Sequence, residues 1–208
     1  MRISQIIGID IAVNYWGSPW IAHRIVNFQF ADAPPLCFSI EIRKKLGQTY
    51  STIGEPCRQF ELIYIVVDER DVIRLRTNYR KEDVYLYHTT ISPESARERF
   101  LSTFVRSTPS ETNHASTTPS PLTAQRASVR SIHPKERIPW DWRILLNGKG
   151  DELMYEHHVI VTGGLPFAEL KARSLMNTRA RAANDSPDFS QLIREGLPEA
   201  SASDASRR

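Results

Sequence analysis

WIAHRIVNFQFADAPPLCFSIEI, residues 20–42, is the stretch that decides the fold class. Its first half, Trp20 to Phe30, is rich in β-branched and aromatic residues. As an extended strand it sorts Ile21, His23, Ile25 and Asn27 onto one face and Ala22, Arg24, Val26, Phe28 and Phe30 onto the other. Asp32 to Pro35 reads as a turn, since Pro34-Pro35 bars further ladder pairing there. Leu36 to Ile42 then alternates: Leu36, Phe38, Ile40 and Ile42 point one way, Cys37, Ser39 and Glu41 the other. Two strands with so short a connection predict an antiparallel pair.

Working outward, Phe60 to Val67 (FELIYIVV) is a continuous apolar run and predicts a central strand covered on both faces. Asp68-Glu69-Arg70-Asp71 reads as a solvated turn, followed by a strand over Val72 to Thr77 with Ile73 and Leu75 inward and Arg74 and Arg76 outward. Val84 to Tyr87 is a short fifth strand. Ser92-Pro93-Glu94 opens a helix, with serine as cap, proline in the first turn and an acid at the positive dipole end. Ala96, Phe100 and Phe104 give that helix its buried stripe, and it should run to about Arg106.

Beyond the helix the character changes. Ser107 to Ser131 is close to half serine and threonine, holds three prolines and has almost no large apolar residue. Such a segment cannot bury enough surface to offset its ordering entropy. Structure resumes near Ile138: a short helix after Trp140-Asp141-Trp142 closed by Asn147-Gly148, a second from Pro166, and a third from Ser186-Pro187 to Gly196. Trp140 and Trp142 would clamp these helices to the core. The expected organisation is a sheet-plus-helix core over 1–106, a disordered or frame-disrupted linker over 107–131, a helical carboxy-terminal part of the same domain over 132–198, and a frayed tail over 199–208. The fold class is α+β: an antiparallel sheet of about five strands with packed helices.

Composition narrows the function classes. A chain of 208 residues with 40% apolar and 25% charged residues suits one globular domain. A net charge of +3, scattered rather than striped, argues against nucleic acid as a partner, although it would not oppose an anionic membrane surface. Two cysteines, Cys37 and Cys57, make no disulfide framework and read first as separate packed thiols. The start, MRISQIIGIDIAVNYWG, has no signal-peptide pattern, and no window approaches the ~18 apolar residues of a membrane span.

Several strings carry a resemblance: YWGSPWIAH (15–23), FSIEIRKKLGQTYS (38–51), RQFELIYIVVDERDVIRLRTNYRKEDVYLY (58–87) and PWDWRILLNG (139–148), with PFAEL (166–170) and DFSQLIREGLP (188–198). In these the chain resembles the Lnb N-terminal periplasmic domain family. The resemblance implies a fold similar to permuted papain-like, NlpC-type thiol enzymes, with histidine preceding cysteine. It also implies an activity related to lipoprotein N-acyltransfer, a lipoprotein or phospholipid substrate, no cofactor, and a monomer. Full-length relatives are expected at the periplasmic face of the inner membrane. By comparison with them this chain reads as shortened at its amino end, without their membrane spans.

A thiol acyltransferase needs a thiolate, a histidine to take and return its proton, and a polar group to orient the imidazole. His23 lies mid-strand, and an antiparallel partner would bring Glu41 within reach to orient the ring. The residues alone leave a second reading open, a satisfied core histidine with Glu41 paired to Arg24 or Arg43. The resemblance favours His23 as base. Arg58 is a weaker candidate for holding an anionic head group, with structural pairing to Glu61 or Asp68 as the alternative. His157-His158 read as a surface pair rather than metal ligands, because adjacent residues diverge on a regular element and no third ligand is evident.

The nucleophile is missing. Relatives carry a Tyr-Asn-x-Leu-Thr-x-Asn-Cys-Thr pattern; here Leu122-Thr123 is in step, Ala124-Gln125-Arg126 follows, and no cysteine stands near Arg126. Cys37 and Cys57 fall in strand regions and do not replace it. Ala-Gln-Arg written GCA-CAA-CGN reads CAC-AAC, His-Asn, one base later, so a pair of compensating frame errors between Ser107 and Ala127 would account for the loss. The expected function is therefore an acyltransferase-like envelope domain that is inactive as written. The alternatives are a non-enzymatic envelope module that binds peptide or lipid, and a pseudogene product.

Overall fold

IIGIDIAVNY, the strand β1 (Ile6–Tyr15), is the one on which the sheet is built. It is β-branched and nearly continuous in apolar residues, and Ile9 and Ile11 to Val13 are all buried, as a strand covered on both faces requires. In the computed structural model, residues 5–15, 17–43, 61–107, 147–200 and 204 are described. Beside β1 lie β2 (Ala22–Phe30), β3 (Leu36–Arg43), β4 (Glu61–Asp68) and β5 (Asp83–His88). The strand order is β4-β3-β2-β1-β5, and every pairing is antiparallel. The expected pair of strands around Pro34-Pro35 is β2 and β3, with Ile25 opposite Ser39 and Phe28 opposite Leu36.

Six helices among the described residues cover the sheet: α1 (Glu69–Arg74), α2 (Pro93–Ser107), α3 (Gly150–Glu156), α4 (Phe167–Ser174), α5 (Asn177–Ala183) and α6 (Phe189–Leu192). The α+β class expected from the sequence is the one observed. One face of the sheet presents Ala12, Ile25, Cys37, Val84 and Leu86 to Val72 and Ile73 of α1 and to Met176, Ala180, Phe189, Ile193 and Leu197. The other face packs Ile11, Val13 and Tyr87 against Met154, Ile160 and Leu170. At its far end Phe28 and Phe38 meet Phe100 of α2 edge-on, with centroids 5.2 and 5.8 Å apart. The cap read at Ser92 is in place: its hydroxyl accepts from the Ser95 N–H at 3.3 Å.

Three sequence expectations are corrected. Val72 to Thr77 is not a strand: α1 runs on into a π-helical turn over Leu75–Tyr79, so Arg76 points inward and is buried. The Asp68–Asp71 run is not wholly a solvated turn, because Glu69 begins α1 and is 1% exposed. The run ending at Val67 is an edge strand, not a central one, with Ile63, Ile65 and Val66 between 36% and 39% exposed. The helices α3 and α5 were not anticipated. Within the tail expected to fray, Asp204 is buried and accepts hydrogen bonds from the Thr162 N–H and hydroxyl. Cys57, Arg58, Arg126, Trp140, Trp142 and the linker expected beyond Ser107 lie outside the described residues.

Candidate functional site

Antiparallel registry sets the site. The β2–β3 pairing places Ile25 opposite Ser39; continued by two residues it sets His23 opposite Glu41. On the other side of β2, Asn14 of β1 stands opposite His23. All three side chains therefore share the sheet face that α1 and the π-helical turn cover. His23 Nε2 lies 3.2 Å from Glu41 Oε1 and 2.7 Å from Ser39 Oγ, and the Ser39 hydroxyl donates to Glu41 Oε1 at 2.8 Å. Among the described residues the carboxylate is not paired with Arg24, and the Arg43 side chain lies outside the described residues. Glu41 also pairs, among the described residues, with Arg76, whose Nη2 donates to Oε1 at 2.8 Å.

Arg76 was missed from sequence because a charged residue beside Ile73 and Leu75 reads as the polar half of an alternation. The helical reading would have found it: Glu69, Val72, Ile73, Arg76 and Thr77 are the buried residues of this segment, spaced as one helical face. Arg76 also reaches Glu82 Oε2 at 3.2 Å, and Glu82 accepts from Asn14 Nδ2 at 2.8 Å. The result is a partly buried polar chain, His23–Glu41–Arg76–Glu82–Asn14, with Arg76 between two carboxylates. Within it Asn14 Oδ1 and Arg76 Nε are buried with no hydrogen-bond partner.

The protons can be placed. Hydrogen bonding from His23 foremost, with help from Ser39 and the Arg76 charge, outweighs burial and pulls the Glu41 carboxyl down to about 2. Glu41 is thus an acceptor only, so the single Ser39 hydroxyl proton goes to it. Ser39 must then accept from His23, which makes Nε2 a donor. A neutral His23 is held as the Nε2–H tautomer.

A second polar cluster occupies the far end of the same face. His88 Nδ1 lies 2.8 Å from Asp10 Oδ1, and Arg194 bridges Asp10 Oδ2 at 2.8 Å and Glu69 at 2.6 Å. Asn27 donates to Glu69 at 3.0 Å and accepts from the Cys37 thiol at 2.9 Å. Burial, reinforced by the Glu69 charge, pushes that thiol well above its ordinary pKa. Cys37 is fully buried, is a free thiol and faces this cluster, so it is no nucleophile for His23. His157 and His158 end α3 on the surface.

The loop that carries the chain into β2 is fixed from the other side. The Gly148 N–H donates to Trp20 O at 3.0 Å, and a Cβ on Gly148 would overlap the Pro19 carbonyl. Gly148 belongs to a 3₁₀ turn over Asn147–Lys149 that fixes the approach to His23, and the helix expected to end at Asn147-Gly148 lies outside the described residues.

Residues 1–148 match the Lnb N-terminal periplasmic domain family, well over half of the chain. The chain belongs to that family. As a member it is a bacterial envelope domain of periplasmic type. The match takes in β1 to β5, the helices α1 and α2, and the whole His23–Glu82 cluster. The strings PFAEL and DFSQLIREGLP of the sequence resemblance lie beyond it. No curated protein and no solved structure matches the chain. Among the described residues no helix of the Lnb domain is long and apolar enough to cross a membrane.

Proposed function

We propose that this chain is an acyltransferase-like envelope domain, of the papain-like kind with histidine ahead of cysteine, that lacks its thiol and is inactive as written. The observation that supports the reading is the hydrogen-bonded set His23–Ser39–Glu41. Glu41 and Ser39 hold the imidazole through Nε2, which orients the ring and fixes its neutral tautomer, the control that a histidine exchanging a proton with a thiol needs. His23 would be the base, and Glu41, Ser39 and Arg76 would position it. The thiol would stand near Arg126, and the substrate would be a lipoprotein or a phospholipid at the periplasmic face of the inner membrane. The orphaned Asn14 Oδ1 and Arg76 Nε are further polar atoms that a bound substrate group or a water would satisfy.

The test restores the sulfur. The full chain carrying Arg126→Cys is assayed for acyl transfer to a peptide with an amino-terminal lipoprotein cysteine, alongside the unaltered chain and Arg126→Cys with His23→Ala. Transfer that appears with the cysteine and disappears with His23→Ala supports the enzyme reading. A folded Arg126→Cys chain that binds the lipopeptide without transferring an acyl group overturns it in favour of a binding module.

A further inference from the structure

On β2 the residue after His23 points to the opposite face of the sheet. That residue, Arg24, is only 9% exposed and lies against α3, where a Cβ on Gly150 would come within 3.2 Å of its Nη1. The next residue of α3, Asp151, is fully engaged elsewhere. Its Oδ2 is 2.7 Å from Lys171 Nζ of α4 and accepts from the Tyr87 hydroxyl at 3.1 Å, while Oδ1 accepts from the Glu152 N–H at 2.9 Å. The Lys171 ammonium donates to the Tyr15 hydroxyl at 3.0 Å and stands 4.5, 5.0 and 5.7 Å from the ring centres of Tyr15, Tyr85 and Phe167. Asp151 and Tyr15 therefore act on Arg24 through charge alone, and among the described residues its guanidinium makes no hydrogen bond. Burial pushes the Arg24 guanidinium down from its ordinary pKa, and the Asp151 charge offsets this only in part.

Withdrawing a guanidinium from water is costly unless an acceptor meets its donors. The charges around Arg24 say which acceptor fits. Arg24 and Lys171 are two cations beside one carboxylate, Asp151, so the cluster holds one positive charge in excess. Glu152 and Glu169, acids on the same two helices, have cations of their own: Lys149 at 3.0 Å and Arg173 at 2.7 Å. A planar monoanion meets both conditions, since it offers two oxygens to the guanidinium fork and cancels the single excess charge. We infer that Arg24 anchors a carboxylate-binding site on the face of the sheet opposite His23, with Tyr15, Asp151 and Lys171 as its wall. Asp151 restrains that site, because it competes with the ligand for the same positive charge. The thiol chemistry proposed for the other face plays no part in it.

The full chain is titrated with acetate at constant ionic strength while the Arg24 Nε–H resonance is followed, with sulfate as the comparator. Acetate should shift that resonance saturably and raise the thermal midpoint; sulfate should do neither. Arg24→Met should abolish the acetate-dependent rise, yet melt no lower than the natural chain in acetate-free buffer, because an unpaired charge has left the interior. Asp151→Asn removes the competing carboxylate and should tighten acetate binding about tenfold. Arg173→Met, exposed on α4, should leave binding unchanged. N-acetylalanine and octanoate should both compete with acetate, and the tighter of the two tells a peptide end from an acyl chain as the source of the carboxylate. Unaltered circular dichroism shows that each variant is folded. No saturable shift, binding that survives Arg24→Met, a stronger response to sulfate than to acetate, or weaker acetate binding in folded Asp151→Asn overturns the inference. So does a lowered midpoint of Arg24→Met in acetate-free buffer, which would make Arg24 a structural residue.

Discussion

Glu41 is the residue on which the site's electrostatics turn, and pH is the means to test it. Its carboxyl is drawn to about 2 from an ordinary 4.5, chiefly by the hydrogen bond from His23. A depressed folded pKa contributes stability that is fully present above the unfolded value and is lost as pH falls from about 4.5 toward 2. Urea midpoints measured across that window should fall more steeply for the natural chain than for Glu41→Gln, with a difference on the order of 2 kcal/mol. Identical slopes would mean that the carboxylate is solvated and idle. The tautomer makes an independent prediction. Nitrogen-15 spectra of His23 near neutral pH should show a protonated Nε2, and Ser39→Ala with Glu41→Gln should shift the ring toward a mixture of tautomers. A neutral ring protonated at Nδ1 in the natural chain would reverse the assignment of the tautomer. Arg76 joins two carboxylates while itself buried, so Arg76→Met should cost about 3–5 kcal/mol, the penalty of stranding buried charge, read as a lowered thermal midpoint.

Helix α6 has only four residues, too few to hold itself by backbone hydrogen bonding alone. It is secured by Phe189 and Ile193 in the core, and just beyond it by Arg194, which reaches across to Asp10 on β1 and Glu69 on α1. Burial opposes the guanidinium charge, but Glu69 and Asp10 outweigh it and raise the Arg194 pKa. Arg194→Met should therefore destabilise by about 3–5 kcal/mol, whereas Arg173→Met, removing an exposed helix pair with Glu169, should cost less than about 1 kcal/mol. Comparable losses in the two variants would refute the anchor. These same elements show what the sequence could convey. The β2–β3 pair and α2 were legible because local chemistry, alternation around Pro34-Pro35 and the Ser92 cap, determines them. The cross-strand meeting of His23 and Glu41 followed from that pairing. The segment after β4 was misread because its buried face includes Glu69 and Arg76, charges whose partners Arg194, Glu41 and Glu82 lie elsewhere along the chain. Hydrophobic periodicity records burial only where burial is apolar.

At the scale of the whole molecule, the family match and the fold end in different places. The match stops at residue 148, while the core continues to Leu197. Met176, Phe189 and Ile193 share one cluster with Ala12, Ile25 and Leu86 of the sheet, and Met154, Ile160 and Leu170 share the other with Ile11, Val13 and Tyr87. Fully burying one such side chain contributes about 1.5–3 kcal/mol, so these six together match or exceed the ~5–15 kcal/mol by which an ordinary domain is stable. The carboxy-terminal helices are therefore part of the folding unit that positions His23, even though they lie beyond the matched residues. A fragment ending at Gly148 should show no cooperative thermal transition, and its amide resonances should be collapsed in dispersion, while the full chain melts in a single step. Adding residues 149–208 in trans should restore dispersion, since the surfaces they cover are preformed only when both faces of the sheet are occupied. A fragment of 1–148 that melts cooperatively by itself would show instead that the strands hold their register without the helices that cover them here.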